Sequence, residues 1–275
     1  MLQRKVLIII YIAALFLSPT VYLNPGYADV SVSITEPDTE PTTGIEDVKA
    51  VLSDYHKDTD LINRSINMVE DILIAEPRNV EALIFISRLW LTYGYAISTT
   101  RQDMIRVFEI GKNYGSRAMG IAPDNPDAHF FYIANMASLG DVKGVLNSLF
   151  MLPEIRRELE IILELDPNHV YGLAMQGALY YYLPGILGGD TQVSEIYLKR
   201  ALFIDPHLSS ARLYMAMNLR KQKRYDEALD ELILLVRDKE PTFYPDWYLN
   251  RKFAISLISV INREKGGKNI RIKHE

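Results

Sequence analysis

The stretch HVYGLAMQGALYYYLPGILGGDTQVSEIYLKRALFIDP, residues 169–206, reads as two helices folded back on one another. The first covers residues 170–182, with the small residues Ala174, Gly177 and Ala178 recurring along it. The second covers residues 191–203 and stops at Asp205-Pro206, because proline lacks an amide and clashes with the preceding turn. Between them lies a turn containing Leu183, Pro184, Gly188, Gly189 and Asp190. Pro184 ends the first helix, the glycines permit positive φ, and Asp190 suits the cap that accepts from the next helix's free amides. A second reading places this loop over one mouth of a groove, where it shapes a binding site.

The same unit recurs along the chain. Prolines close successive units at Pro77, Pro123, Pro167, Pro206 and Pro241, at spacings of 46, 44, 39 and 35 residues. The last approaches the ~34-residue period of tetratricopeptide repeats. About ten residues after the first four closing prolines comes a small residue, Ser87, Ala134, Gly177 or Ala216. These mark where a first helix lets its partner approach. The fold expected is all-α: about five antiparallel helix pairs stacked into a superhelical, tetratricopeptide-like solenoid over residues 45–262. A C-terminal helix over residues 247–260 caps the end, as solenoids require. The surplus over 34 residues falls in the turns between paired helices or in lengthened second helices, at residues 140–151 and 184–189. Thr100 with Asp103 resembles a capping box opening a helix that ends near Ile121. In residues 154–165, Glu154, Arg156, Glu158 and Glu160 mark a solvated face, and Ile155, Leu159, Ile162 and Leu163 a buried one.

The 275 residues are 48% hydrophobic and 24% charged, a globular composition. Net charge is −5. Residues 1–28 read as an export signal: Arg4 and Lys5, an uncharged apolar run over residues 6–17, then Gly26-Tyr27-Ala28 as a cleavage site. Twelve apolar residues fall short of the ~20 that span a bilayer, so an uncleaved segment is the chain's sole expected membrane attachment. The chain is thus expected to be exported, periplasmic or bound to the envelope. Residues 29–44, rich in Thr, Pro and acids, read as a disordered linker, and residues 263–275 as a flexible tail.

Chemistry is mostly excluded by residue type and spacing. The acidic body argues against nucleic acid as a partner, since phosphate binding needs a concentrated basic face. With no cysteine there is no disulfide, thiolate zinc site or thiol nucleophile. The five histidines are scattered, with none at i, i+4, so no metal site is expected. The glycines of residues 185–190 lack the Lys-Ser/Thr of a phosphate loop. No catalytic residues and no cofactor are assigned, and the chain is not expected to be an enzyme.

The small-residue register places a groove on the inner face. It receives Arg88 and Leu91, then Phe131 and Asn135, then Tyr171, Tyr181 and Tyr182, and finally Met217, Arg220 and Lys221. Tyr180 packs against the partner helix. Such a groove is aromatic in the middle and cationic toward both ends, which suits an anionic partner: an acidic peptide segment, or an organic acid with an apolar body. Alternatively these cations pair with neighbouring acids such as Glu227.

Several pieces together resemble a known family. They are Ala128-His129-Phe130-Phe131, Lys143-Gly144-Val145-Leu146 with Glu154-Ile155, Leu165-Asp166-Pro167, Gly177 with Leu183-Pro184 and Leu187-Gly188-Gly189-Asp190, and Ala201-Leu202 with Asp205-Pro206. Over residues 60–262 the chain resembles tetratricopeptide-fold proteins related to the T component of tripartite (TRAP-type) solute transporters. Some of these pieces also occur in the eukaryotic regulators of microtubule dynamics. The resemblance implies an exported array, lipid-anchored and oligomeric in some members. It also implies docking of a protein partner such as a transporter's solute-binding protein, or a small apolar or anionic ligand held in a cavity. This chain has no cysteine to carry the lipid.

Overall fold

Residues 44–266 are described by the computed structural model. Within them the chain forms α1 (Ile45–Leu52), α2 (Leu61–Ala75), α3 (Val80–Ala96), α4 (Arg101–Ile121), α5 (Pro126–Lys143) and α6 (Val145–Leu165). Then follow α7 (Val170–Tyr182), a 3₁₀ turn (Gly185–Leu187), α8 (Thr191–Ile204), α9 (Ser209–Lys221), α10 (Tyr225–Arg237) and α11 (Tyr244–Glu264). This is an all-helical array of five pairs and a terminal helix, with no strand among the described residues. The export signal, residues 29–43 of the linker and residues 267–275 of the tail lie outside them.

The junctions share a proline stop, and three of the four add a side-chain cap, the exception being α9, which opens on Leu208. Helices α2, α4, α6 and α8 end at Glu76, Ala122, Asp166 and Asp205, whose amides still bond to the carbonyl four residues back. The proline that follows each cannot continue that ladder. A new helix then opens on a side-chain cap: Asn79 accepts from Ala82, Asn125 from Asp127 and Ala128, and His169 Nδ1 from Gly172. Thr100 and Asp190 cap α4 and α8 in the same way. Such caps offset the unpaired first-turn amides.

Inside the pairs, Gly177 is where α7 meets α8. A Cβ there would lie 2.6 Å from Leu198 Cγ and 3.1 Å from the Ser194 carbonyl oxygen. Tyr180 stacks on Tyr197 of the same partner helix, with ring centroids 5.7 Å apart. Ser87 and Ala216 are fully buried. The α5 unit departs from the expected register. Ala134 faces inward, and the helix contact falls at Asn135, whose Nδ2 donates to Ser87 O (3.1 Å) and Phe131 O (2.9 Å).

One alternative is decided and two more expectations change. Of the two places offered for the surplus at residues 140–151, the structure uses the lengthened second helix. Gly144, at φ 100°, reverses the chain in one residue and α6 runs 21 residues with Pro153 inside it. Glu158 belongs to the interior and not to the solvated face: its carboxylate lies 2.5 Å from His129 Nδ1 and 2.6 Å from Arg157 Nη2. The charge pattern of α6 gave no sign of this, because His129 sits on another helix.

The last change concerns α11, which begins before residue 247 and does more than cover the last pair. Trp247 Nε1 donates to Leu235 O, fixing α11 on α10. Its first turns then meet the opposite end of the array. Phe243 packs edge-on against Phe85, Tyr244 against His56, and Tyr248 edge-on against Tyr55. The terminal helix therefore ties the fifth pair back to the first and second.

Candidate ligand cavity

The first helices of the second to fifth pairs, α3, α5, α7 and α9, face inward, and with α11 they line a cavity of about 420 Å³. Three of them contribute at one spacing: Arg88, Leu91, Thr92 and Tyr95 from α3; Ser210, Leu213, Tyr214 and Met217 from α9; Asp246, Leu249, Asn250 and Phe253 from α11. Offsets of three, four and seven residues define one face of a helix. Helix α7 follows with Tyr171, Ala174, Met175 and Ala178, and extends to Leu179 and Tyr182. Helix α5 supplies Phe130, Phe131, Ala134, Ala137, Ser138 and Asp141. The wall is apolar and aromatic for most of its extent.

Charge enters at two places. At one, Arg88 bridges the ends of the array: its Nη2 donates to Tyr171 Oη (2.9 Å) and to Asp246 Oδ2 (2.8 Å). Its guanidinium lies 3.5 Å from the Phe243 ring centroid. Burial alone would disfavour this charge, but Tyr171 and Asp246 outweigh it and the net effect holds the guanidinium protonated. At the other, the Asp141 carboxyl faces the cavity with no hydrogen bond or ion pair to another described residue, and burial pushes its pKa up to about 7. Tyr95, Tyr182 and Tyr214 surround that carboxyl, and burial raises all three phenols, Tyr214 to about 12. Tyr95 Oη donates to Ser138 Oγ at 2.7 Å, and the Tyr182 and Tyr214 rings meet edge to face.

Of the residues expected in the groove, the structure brings Arg88, Leu91, Phe131, Tyr171, Tyr182 and Met217 to the cavity wall. It places four elsewhere. Asn135 is spent on the α3–α5 contact. Tyr181 is buried beneath Lys221, whose Nζ donates to the Tyr181 carbonyl (2.6 Å). Arg220 forms a two-bonded pair with Glu264 of α11 (2.6 and 3.0 Å), not with Glu227. The small-residue register set the α9 face one turn too late, since its stripe runs from Ser210 to Met217. Of the two expected cationic ends, Arg220 with Lys221 lies off the wall, and Arg88 is on it but paired with Asp246. Loop residues Leu183, Pro184, Gly188, Gly189 and Asp190 are also outside it. Instead Asp190 caps α8, its amide donates to Tyr180 O, and Leu187 O accepts from Arg156.

Asp141 and the whole α11 face were missed. The offsets Asp246, Leu249, Asn250, Phe253 were visible in the sequence, but a capping helix gave no reason to read them as an inner wall. Among the described residues no group of three or more His, Asp or Glu is placed to hold a metal ion, and no helix is long and apolar enough to cross a membrane.

A thermophilic TPR protein of Thermus thermophilus superposes with a TM-score of 0.55, covering 77% of this chain and 99% of that one at 17% identity. The fold is a tetratricopeptide-like helical array. No family model matches the sequence. Mouse regulator of microtubule dynamics protein 2 is 31% identical over 103 residues, 37% of this chain and 23% of its own length. The rat protein is 26% identical over 180 residues, 64% of this chain and 42% of its own length. The chain spans less than half the length of these relatives, so the likeness is to part of each. In this TPR-like array the terminal helix joins the two ends.

Proposed function

We propose that this TPR protein is an exported, non-catalytic binding protein that takes up a small molecule with an apolar body in its central cavity. The observation carrying this reading is the cavity of about 420 Å³. Its size lies within the range of small-molecule sites, and its wall is mostly hydrophobic with a few fixed polar groups. A groove for a peptide would be open along its length, whereas here α11 stands across it. Export rests on Arg4, Lys5, the apolar run and the Gly26-Tyr27-Ala28 site. A role as accessory to a solute transporter accords with the resemblance of residues 60–262 to transporter-associated proteins.

Native mass spectrometry of protein isolated without detergent from its own envelope should show one bound molecule per chain. Ala137→Trp, which fills the cavity from a half-buried position, should abolish that added mass while leaving the melt within a few degrees. Protein that arrives empty, and that also fails to take up decanol, would overturn the reading.

Protein docking is the second reading, and one observation favours it. At the start of α6, Leu146 and Phe150 are 70% and 83% exposed, and clustered apolar exposure of this kind marks interaction surfaces. Leu146→Glu with Phe150→Glu should remove a captured partner if docking uses this face, while decanol uptake persists.

A further inference from the structure

We propose that the end of the cavity formed by Asp141, Tyr95, Tyr182 and Tyr214 is a head-group site for an ammonium ion, so that the ligand is a cationic amphiphile. This rests on the apolar-ligand reading above and names its chemistry.

Three observations converge. The charged side chains on the wall are Arg88, Asp246 and Asp141. Arg88 and Asp246 neutralise one another at 2.8 Å, and Arg88 Nη2 also donates to Tyr171 Oη. That leaves Asp141 as the charge with no partner among the described residues, and the ionised wall carries one net negative charge. An isolated carboxylate beside apolar surface is costly unless a cation or a proton meets it. Its carboxyl titrates near 7 because of burial alone, so an arriving ammonium would supply the missing counter-charge.

The flanking groups suit that cation. Three tyrosine rings, from α3, α7 and α9, line the same end, and aromatic faces attract ammonium ions. The Tyr182 and Tyr214 centroids are 6.0 Å apart and nearly perpendicular (84°), so they present two walls of a corner. Among the described residues no basic side chain lines this end. Lys143, on the same helix as Asp141, pairs with Glu109 at 2.7 Å. Beyond this head site the wall continues as Leu213, Leu179, Met175 and Leu91, which accept an alkyl body. An organic acid lodged with its carboxylate at this end would face the like charge of Asp141. The anionic ligand expected from the sequence is therefore replaced by a cationic one.

Calorimetric titration of the full chain with decylamine, decanol and decanoate tests this. All three share one body, and decylamine stays protonated below about pH 10. At about pH 8 decylamine should bind about tenfold tighter than decanol, as one desolvated charge pair of ordinary strength supplies, and decanoate most weakly. The advantage should shrink toward unity by about pH 5, as Asp141 takes a proton. The groups facing it, Tyr95, Tyr182 and Tyr214, remain neutral throughout that range. Asp141→Asn should bind amine and alcohol equally at both pH values. If that variant does not fold, the wild-type pH profile alone decides. Equal binding of amine and alcohol by wild type at about pH 8, or preference for decanoate, overturns the head-group assignment while decanol binding still upholds the cavity. Binding of none of the three overturns both.

Discussion

A methyl group added at Gly177 meets Leu198 Cγ at 2.6 Å and the backbone oxygen of Ser194 at 3.1 Å. The first neighbour can shift, but the second is fixed in the α8 ladder. Gly177→Leu should therefore lower unfolding free energy by about 1–3 kcal/mol, as overpacked sites do; a denaturant melt indistinguishable from wild type would contradict this contact. Asp190→Ala removes the acceptor for two amides of α8 and should cost about 1 kcal/mol without changing ligand affinity. A fall in affinity with an unaltered melt would instead restore the loop to the site. Asp141 adds a pH signature. Its ordinary value is 3.8 and the folded value about 7, so between those values the folded chain holds a proton that the unfolded chain has released. Stability from this group is therefore greatest at low pH and is lost as pH rises toward and through 7. The melting temperature of Asp141→Asn relative to wild type should climb across that window and level off above it. Parallel curves would show that the carboxyl titrates as in water. Residue type made Gly177 and Asp190 legible. Asp141 was not, because only tertiary neighbours distinguish it from any acid on a helix.

Among the elements, α7 and α8 were readable in full because each limit has a local cause: Pro184 after α7, the Asp190 cap, and Pro206 after α8. The same devices expose α4 through Thr100 and Ile121. Helix α6 was harder. Pro153 and the glycines at 140 and 144 suggest a broken turn, yet one positive-φ residue, Gly144, is enough to reverse the chain and the proline is carried inside the helix. The chain length was accounted for correctly, but its form was decided by packing against α5. Glu158 shows the same limit. Four-residue charge spacing assigned it to solvent, whereas His129 of α5 draws it inward at 2.5 Å. His129→Ala would leave that carboxylate buried with one partner fewer, so it should destabilise the α5–α6 pair by about 3 kcal/mol or more. A loss below about 1 kcal/mol would mean that Arg157 alone satisfies Glu158.

For the molecule as a whole, proline periodicity revealed the repeats, but periodicity describes neighbours and carries no information about how the two ends meet. Closure depends on Arg88 finding Asp246 across 158 residues of sequence, supported by Phe243 against Phe85 and Tyr248 against Tyr55. Those contacts wall the groove with a further helix, neutralise the Arg88 end, and leave Asp141 as the wall's one charge without a partner among the described residues. The binding reading therefore rests on closure. A double-mutant cycle on Arg88→Met and Asp246→Asn, measured by denaturant unfolding, tests closure most directly. Side chains in contact couple by about 0.5–3 kcal/mol, and distant ones add. The closed array predicts coupling of about 1 kcal/mol or more between the second pair and the terminal helix; additivity within about 0.5 kcal/mol would mean that the ends do not meet and that the cavity is an open groove.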